Sequence, residues 1–390
     1  MTIYRTSPPP PRRGLAGRPI LTVTIAVAAL VSAGLGSVAW ANRGHREPSA
    51  SPPPAASAPS GVPSAPGGRA GSISLSATGD IIMGQAPGRL PAGDGRGFFD
   101  GVERVLAADL VMGNLEQTLT EDTGFRKCGA GSGRCFAFRT PPSYAAHLKA
   151  AGFDLLNQAN NHGGDFGDAG FANTRKALEA HDLRHTGAEG EINVVDVRGV
   201  RVAVVGFAPY ERFNDLRDLA ASRAVVRRAA GQADLVVVQV HMGAEGADYT
   251  HVRPGSEFLG SENRGDPIAF AHAVVDAGAD LVVGHGPHVL RAMEFYKGRL
   301  IAYSLGNFSS GPAPLKSDGV LGRGGVLTVS LAPDGKWTGG TFHPTMINSA
   351  GRPVPDRAGR GRDAVAGLSA EDFPSSGARV ARDGTITPPS

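Results

Sequence analysis

Asp280-Leu281-Val282-Val283-Gly284-His285-Gly286-Pro287-His288 carries the pattern that decides the fold. A short apolar run opens on Asp-Leu, reads as a β-strand, and stops at a polar turn. Gly286-Pro287 forces that turn to be tight, which can aim both imidazoles to one side. The pattern recurs outward from here. Residues 72–78 run into Gly79-Asp80, Asp109-Leu110-Val111-Met112 into Gly113-Asn114-Leu115-Glu116, Asp154-Leu155-Leu156 into Asn160-Asn161-His162, and 234–240 into His241. Four of these five strands open with Asp-Leu. Segments 97–108, 141–151, 168–181, 215–231 and 266–277 have helical character and lie before or between them.

Near-continuous apolar strands alternating with helices predict a parallel arrangement covered on both faces. Sites in such folds form outside the carboxyl ends of the strands, and here each end carries Asp, Glu, Asn or His. Residues 300–308 read as a further strand ending in a polar turn. Segments 325–332 and 338–347 form an antiparallel pair around Pro333-Asp334-Gly335, which makes the sheet content mixed. From 349 to 390 the chain is rich in Arg, Gly and Pro and is expected to be loosely packed or disordered.

The N-terminus has a different composition. Residues 1–18 form a basic segment with four Arg, predicted to stay cytoplasmic. Residues 19–41 are uncharged and largely apolar, long enough to cross a bilayer, which takes about 20 residues. Ala39-Trp40-Ala41 also fits a small-x-small cleavage site, so a signal anchor and a cleaved signal peptide are both open. Residues 42–71 are a Pro/Ala/Ser-rich linker, and a globular domain is expected over 72–348. Of the 39 basic and 36 acidic residues, six basic and one acidic fall within 1–47. The remaining 33 basic and 35 acidic residues give no basic stripe, so nucleic acid is not an expected partner.

Taken singly, Asp80 could cap a turn, Glu116 could be a surface charge and His241 a core histidine. Together, Asp80, Glu116, His162, His241, His285 and His288 at neighbouring strand ends point to a site. Imidazole and carboxylate ligands suit Mn, Zn or Fe, and one or two divalent ions are expected. Two such ions could clamp a phosphate and generate hydroxide near neutral pH. Asp165 is placed either to orient His162 or to cap the helix that follows. Cys128 and Cys135 are the two cysteines. Outside the cytoplasm they are predicted to pair; two reactive thiols or an extra ligand pair are the alternatives.

Gly79-Asp80-Ile81-Ile82-Met83-Gly84, Asn114-Leu115-Glu116, Ala159-Asn160-Asn161-His162 with Asp165 and Gly167, His241 to Glu245, Gly284 to His288 and Tyr303 to Phe308 occur in order across 72–348. Together they resemble the CapA (PgsA) family of poly-γ-glutamate capsule synthesis proteins. The resemblance implies an α/β calcineurin-like metallophosphatase fold with mixed sheets flanked by helices and an N-terminal transmembrane or signal helix. It implies metal or phosphate binding at Asp80, Asn161, His162, His241, His285 and His288, with Glu116 as the bridging carboxylate. Asn161, His162 and Asp165 are the candidates for catalytic roles. The superfamily's Asp-x-His opening is here Asp80-Ile81-Ile82, so one histidine ligand is absent. Two functions follow as expectations. One is an accessory role in synthesis, export or anchoring of an anionic envelope polymer, in association with that polymer or its membrane synthase complex. The other is an exported, metal-dependent, phosphoesterase-like hydrolase. Either implies a single-pass membrane protein with an extracytoplasmic domain, or a secreted one.

Overall fold

The computed structural model describes residues 71–128, 135–313, 315 and 318–390. The basic segment, the apolar run and nearly all of the linker lie outside the described residues. Among the described residues no helix is long and apolar enough to cross a membrane.

Among the described residues most strands divide between two mixed sheets, and three two-stranded pairs lie outside them. One runs Pro353–Pro355, Trp337–Ile347, Arg323–Leu331, Ile73–Ile81, Leu110–Leu115, Leu155–Asn157, Arg184–Thr186, and Asn307–Ser309 lies parallel to the end of Ile73–Ile81. The other runs Met293–Tyr296, Arg299–Ala302, Leu281–His285, Leu235–His241, Val200–Phe207, Asn193–Val197. Both have parallel centres with antiparallel strands at one or both margins.

Alternation along each strand explains the continuous apolar runs. Leu75, Ala77, Leu110 and Met112 of the first sheet pack against Val202, Val204, Leu235, Val237, Leu281 and Val283 of the second. The intervening residues point outward: Val236, Val238 and Val282 lie under helices Leu219–Ala230 and Pro267–Asp276. Ile81, Val111 and Leu156 lie under Tyr144, Leu148 and Leu178. The result is a helix–sheet–sheet–helix stack in which the central strands are buried on both faces, with Ser76 and Thr78 of Ile73–Ile81 on the outer side. Asp218 caps the first of those helices through Ala220 N and Ala221 N, both at 3.0 Å. Asp266 caps the second, ahead of a proline in its first turn.

The Asp-Leu openings have a structural use. Asp109, Asp154, Asp234 and Asp280 each accept, through a side-chain oxygen, the backbone N–H of Ser74, Val111, Arg201 and Val236 on the adjacent parallel strand, at 2.8–2.9 Å. Each bond is worth about 0.5–1.5 kcal/mol net, and each fixes how two parallel strands align at their amino ends.

Several segments differ from the sequence reading. Residues 97–108 form turns and a single helical turn, Glu103–Leu106, because glycines at 97 and 101 interrupt the run. Residues 300–308 are not one strand. Arg299–Ala302 belongs to the second sheet and Asn307–Ser309 to the first, and Gly306, at φ 67°, turns the chain between them. The hairpin Asn193–Val197/Val200–Phe207 turns at Arg198-Gly199, both at positive φ.

The tail is not loosely packed. Pro353–Pro355 extends the first sheet, Arg360–Asp372 is helical, and Val365, Ala378 and Ile386 enter the core between the sheets. Buried Asp372 accepts Val252 N–H at 2.8 Å and pairs with His251 and Arg253. Its apolar residues are sparse and aperiodic, and the helix seats small residues, Gly361 and Ser369, against its neighbours.

Candidate metal centre

Strand register builds the site. In the first sheet Asp80 stands opposite Asn114 on one side and Asn307 on the other, and Asn114 stands opposite Asn157. In the second sheet His285 stands opposite His241. The two rows occupy the carboxyl ends of the parallel strands. Gly79 is required where the chain passes Gly306, since a Cβ there would lie 1.9 Å from Gly306 O.

Asp80 is fully buried. Asn114 Nδ2 donates to its Oδ1 at 2.8 Å, and Asn157 and Asn160 donate to Asn114 Oδ1 at 3.0 Å. That relay leaves Asp80 Oδ2 facing His288 Nδ1 at 3.0 Å. His288 takes a left-handed φ of 60° just after Gly286-Pro287, at a cost of roughly 1–2 kcal/mol. Its Nε2 lies 3.6 Å from Glu116 Oε1 and 3.8 Å from Glu245 Oε2. Asp80, Glu116 and His288 each offer a ligand atom within 4.8 Å of the others. His285 Nδ1 is 3.6 Å from Asp80 Oδ1, and its Nε2 contacts Gln239 at 3.2 Å.

The remaining sequence candidates fall around this group. Asn161 Nδ2 donates to Glu245 Oε1 at 3.3 Å. His162 Nδ1 lies 2.7 Å from Asp165 Oδ2, which also accepts Phe138 N–H at 2.7 Å. Asp165 begins no helix cap; the Gly167–Glu179 helix has no side-chain cap bond. His241, read as a metal ligand, has its Nε2 2.9 Å from Nη2 of Arg264. Cys128 and Cys135 are joined in a disulfide. It links Lys127, whose Nζ bonds Asp165 and Asn161 O, to the segment carrying Phe136 and Phe138. Those two rings, with Ile82, Leu315 and Leu321, wall a cavity of about 180 Å³ whose polar side is His162, Glu245, His288 and Asn307.

Arg264, Lys127, Gln239 and Asn157 were not legible as site residues. Arg264 and Lys127 lie in loops with no strand-end pattern, and burial of an arginine leaves no mark in one sequence.

Electrostatics follow from burial. Burial pushes the Glu116 carboxyl well above its ordinary range, and Asp80 and Glu245 add to this against the opposing pull of His288. Burial disfavours a charged His288, but Glu116, Asp80 and Glu245 outweigh it and raise the imidazole to about 10. Burial depresses His285 to about 4, with Asp80 opposing. Burial and then the Arg264 charge push His241 well down.

Both Glu116 carboxylate oxygens, His285 Nδ1 and Asn161 Oδ1 are buried without a hydrogen-bond partner. Leaving such atoms unpaired costs on the order of 1–3 kcal/mol each. Hard oxygen and imidazole donors left open around buried carboxylates fit a divalent cation.

Two helix-covered mixed sheets with acids and imidazoles at their carboxyl ends define a mixed α/β class of protein. The model of the family described as "Bacterial capsule synthesis protein PGA_cap" matches residues 74–312, and the chain belongs to that family. It is 34% identical over 261 residues to the capsule biosynthesis protein CapA of Bacillus anthracis, covering 60% of this chain and 59% of that protein. It is 31% identical over 255 residues to the PGA biosynthesis protein CapA of Bacillus subtilis, covering 60% and 63%. A probable polyglutamine synthesis accessory protein of Mycobacterium tuberculosis is 31% identical over 216 residues, covering 52% and 55%. The matches thus span about 60% of the length of the two Bacillus relatives. Among solved structures, a 5′-nucleotidase precursor from Thermus thermophilus is similar at TM-score 0.43 and 13% identity, covering 78% of this chain and 59% of that one.

Proposed function

We propose that this protein is an accessory factor for the synthesis, export or anchoring of an anionic envelope polymer such as poly-γ-glutamate, working with the polymer or its membrane synthase. Membership of the capsule synthesis family, whose relatives carry polymer-synthesis names, supports this reading most directly. On this reading the fold is calcineurin-like, and Asp80, Glu116 and His288, with His285 beside them, hold one divalent ion, Mn, Zn or Fe. Such an ion would supply Lewis acidity and a water of lowered pKa.

A second reading, an exported phosphoesterase-like hydrolase, is favoured by the His162–Asp165 pair at the cavity. Asp165 accepts from Nδ1 and leaves Nε2 to take or hold a proton, while burial keeps His162 neutral by lowering its pKa against the pull of Asp165. Asn161 and Lys127 would orient an anionic substrate beside it.

A deletion strain carrying wild type, Asp80→Ala or His162→Ala separates the two. Envelope polymer and phosphoesterase activity are measured together. For an accessory role, deletion abolishes polymer and both point variants retain it. Polymer lost together with hydrolysis, in variants still folded and exported, would make the protein an enzyme; for transition-state contacts the loss in rate is about 10²–10³-fold.

We further propose that residues 19–41 anchor the chain and that the domain faces outward, with secretion as the alternative. Protease added to intact spheroplasts should digest the domain. Complete protection contradicts this placement.

A further inference from the structure

Arg264 is fully buried, an expensive place for a guanidinium unless it is paired on several sides. The hairpin Phe258–Leu259/Glu262–Asn263 delivers it. Backbone bonds between Glu257 and Gly265 and between Arg264 and Glu257, both 2.8 Å, close the base of the hairpin. Glu257 in turn receives both terminal nitrogens of buried Arg291, at 3.0 and 2.9 Å. The base of the hairpin is thus braced by a second arginine's ion pair. Arg264 Nη1 donates to Glu245 Oε1 and Tyr210 Oη, each at 2.7 Å, and to Glu262 at 3.2 Å. Nη2 donates to His241 Nε2 at 2.9 Å.

That last contact decides what His241 can do. A guanidinium has no lone pair to accept with and does not give up its proton, so His241 Nε2 must be the acceptor. An imidazole nitrogen has one lone pair, and here it is spent. The same Nε2 lies 4.0 Å from Glu116 Oε1, the gap that an ion shared by these two side chains would fill. An ion there would also stand beside a full positive charge.

We propose that Arg264 serves as a built-in second cation, so that the centre takes one divalent ion on Asp80, Glu116 and His288 while His241 holds the guanidinium. This rests on the metal-centre reading above. The site then combines one exchangeable cation with one that no chelator removes, both within reach of Glu245.

The test is the stoichiometry of Mn²⁺ on the purified full-length protein, by calorimetry and elemental analysis, with the Mn²⁺ electron paramagnetic resonance spectrum. Wild type should bind one ion and show an uncoupled, mononuclear signal. His241→Gln should keep that ion, with affinity changed by less than the roughly 10–100-fold that a lost ligand-orienting partner costs. Arg264→Lys should still bind one ion. Two ions in the wild type, a spin-coupled signal, or loss of the ion in His241→Gln overturns the assignment and leaves the metal centre standing. No ion in the wild type overturns both.

Discussion

His288→Ala should lose divalent metal and also make the metal-free protein less stable. Among the described residues His288 is the imidazole that reaches both Asp80 and Glu116, at 3.0 and 3.6 Å. Its loss should lower Mn²⁺ affinity by at least the roughly 10–100-fold seen when an outer-shell partner is removed. Without metal, the cationic ring is the main compensation for a buried Asp80. Removing one partner of a buried pair costs about 3–5 kcal/mol, and the low end applies because the His288 side chain is 19% exposed. The pH dependence has a definite sign. The folded imidazole, raised to about 10 from an ordinary 6.5, contributes stability fully below pH 6.5 and loses it as pH rises through about 10. Raised Glu116 contributes in the same direction. Metal-free wild type should therefore melt at progressively lower temperature over that window, and the variant should respond less. Since His288 must shed its proton to bind metal, wild-type affinity should rise with pH and binding should release a proton. Thermal melts at several pH values and calorimetry in buffers of different ionisation enthalpy check both. Unchanged affinity and unchanged pH dependence in His288→Ala would remove it from the centre.

Asp165→Ala should be the second severe change, acting through stability and the cavity wall together. The carboxylate is fully buried and serves three partners: His162, the Lys127 ammonium and the Phe138 N–H. Truncation leaves the Phe138 N–H unpaired and Lys127 with Asn161 O, at about 3 kcal/mol, the low end of the buried-pair range because the Lys127 side chain is 31% exposed. At about 2–4 °C per kcal/mol for domains of 150–250 residues, the melting temperature should fall by roughly 10 °C. Asp165→Asn keeps an acceptor for the amide and should fall by less. The same substitution frees the wall that carries Phe138, so a fluorescent apolar probe of the cavity should bind more weakly. A melting temperature within a degree or two of wild type in the alanine variant would show that Asp165 carries little of this network.

How much of this was legible follows from what each signal encodes. Strands 281–285 and 235–241 were visible because both faces are covered, which makes nearly all of their positions before the terminal histidine apolar. Asp80, Glu116 and His288 were visible because a polar residue that abruptly ends such a run has few structural reasons to be there. The division into two sheets was not, since alternation tells which residues face opposite ways but not which face meets which. The 300–308 segment failed for this reason: it supplies both sheets, and only Gly306 marks the crossing. The tail failed because Val365, Ala378 and Ile386 plug a core formed by distant strands. Arg264 was hidden for the opposite cause to Asp80. It follows a two-residue strand with no apolar run before it, and its burial depends on Glu245 and Tyr210 converging on it from other segments.

The aspartates that open the parallel strands lie at the end of the sheets remote from the candidate site. Each already has its oxygen committed to a neighbour's N–H, so they align the strands without help from the metal-facing residues. The two ends of the fold can thus change at different rates. Side chains at the carboxyl ends can be exchanged while the scaffold that aims them stays in register. A framework of this kind lets a few substitutions alter a single rim while strand register is kept.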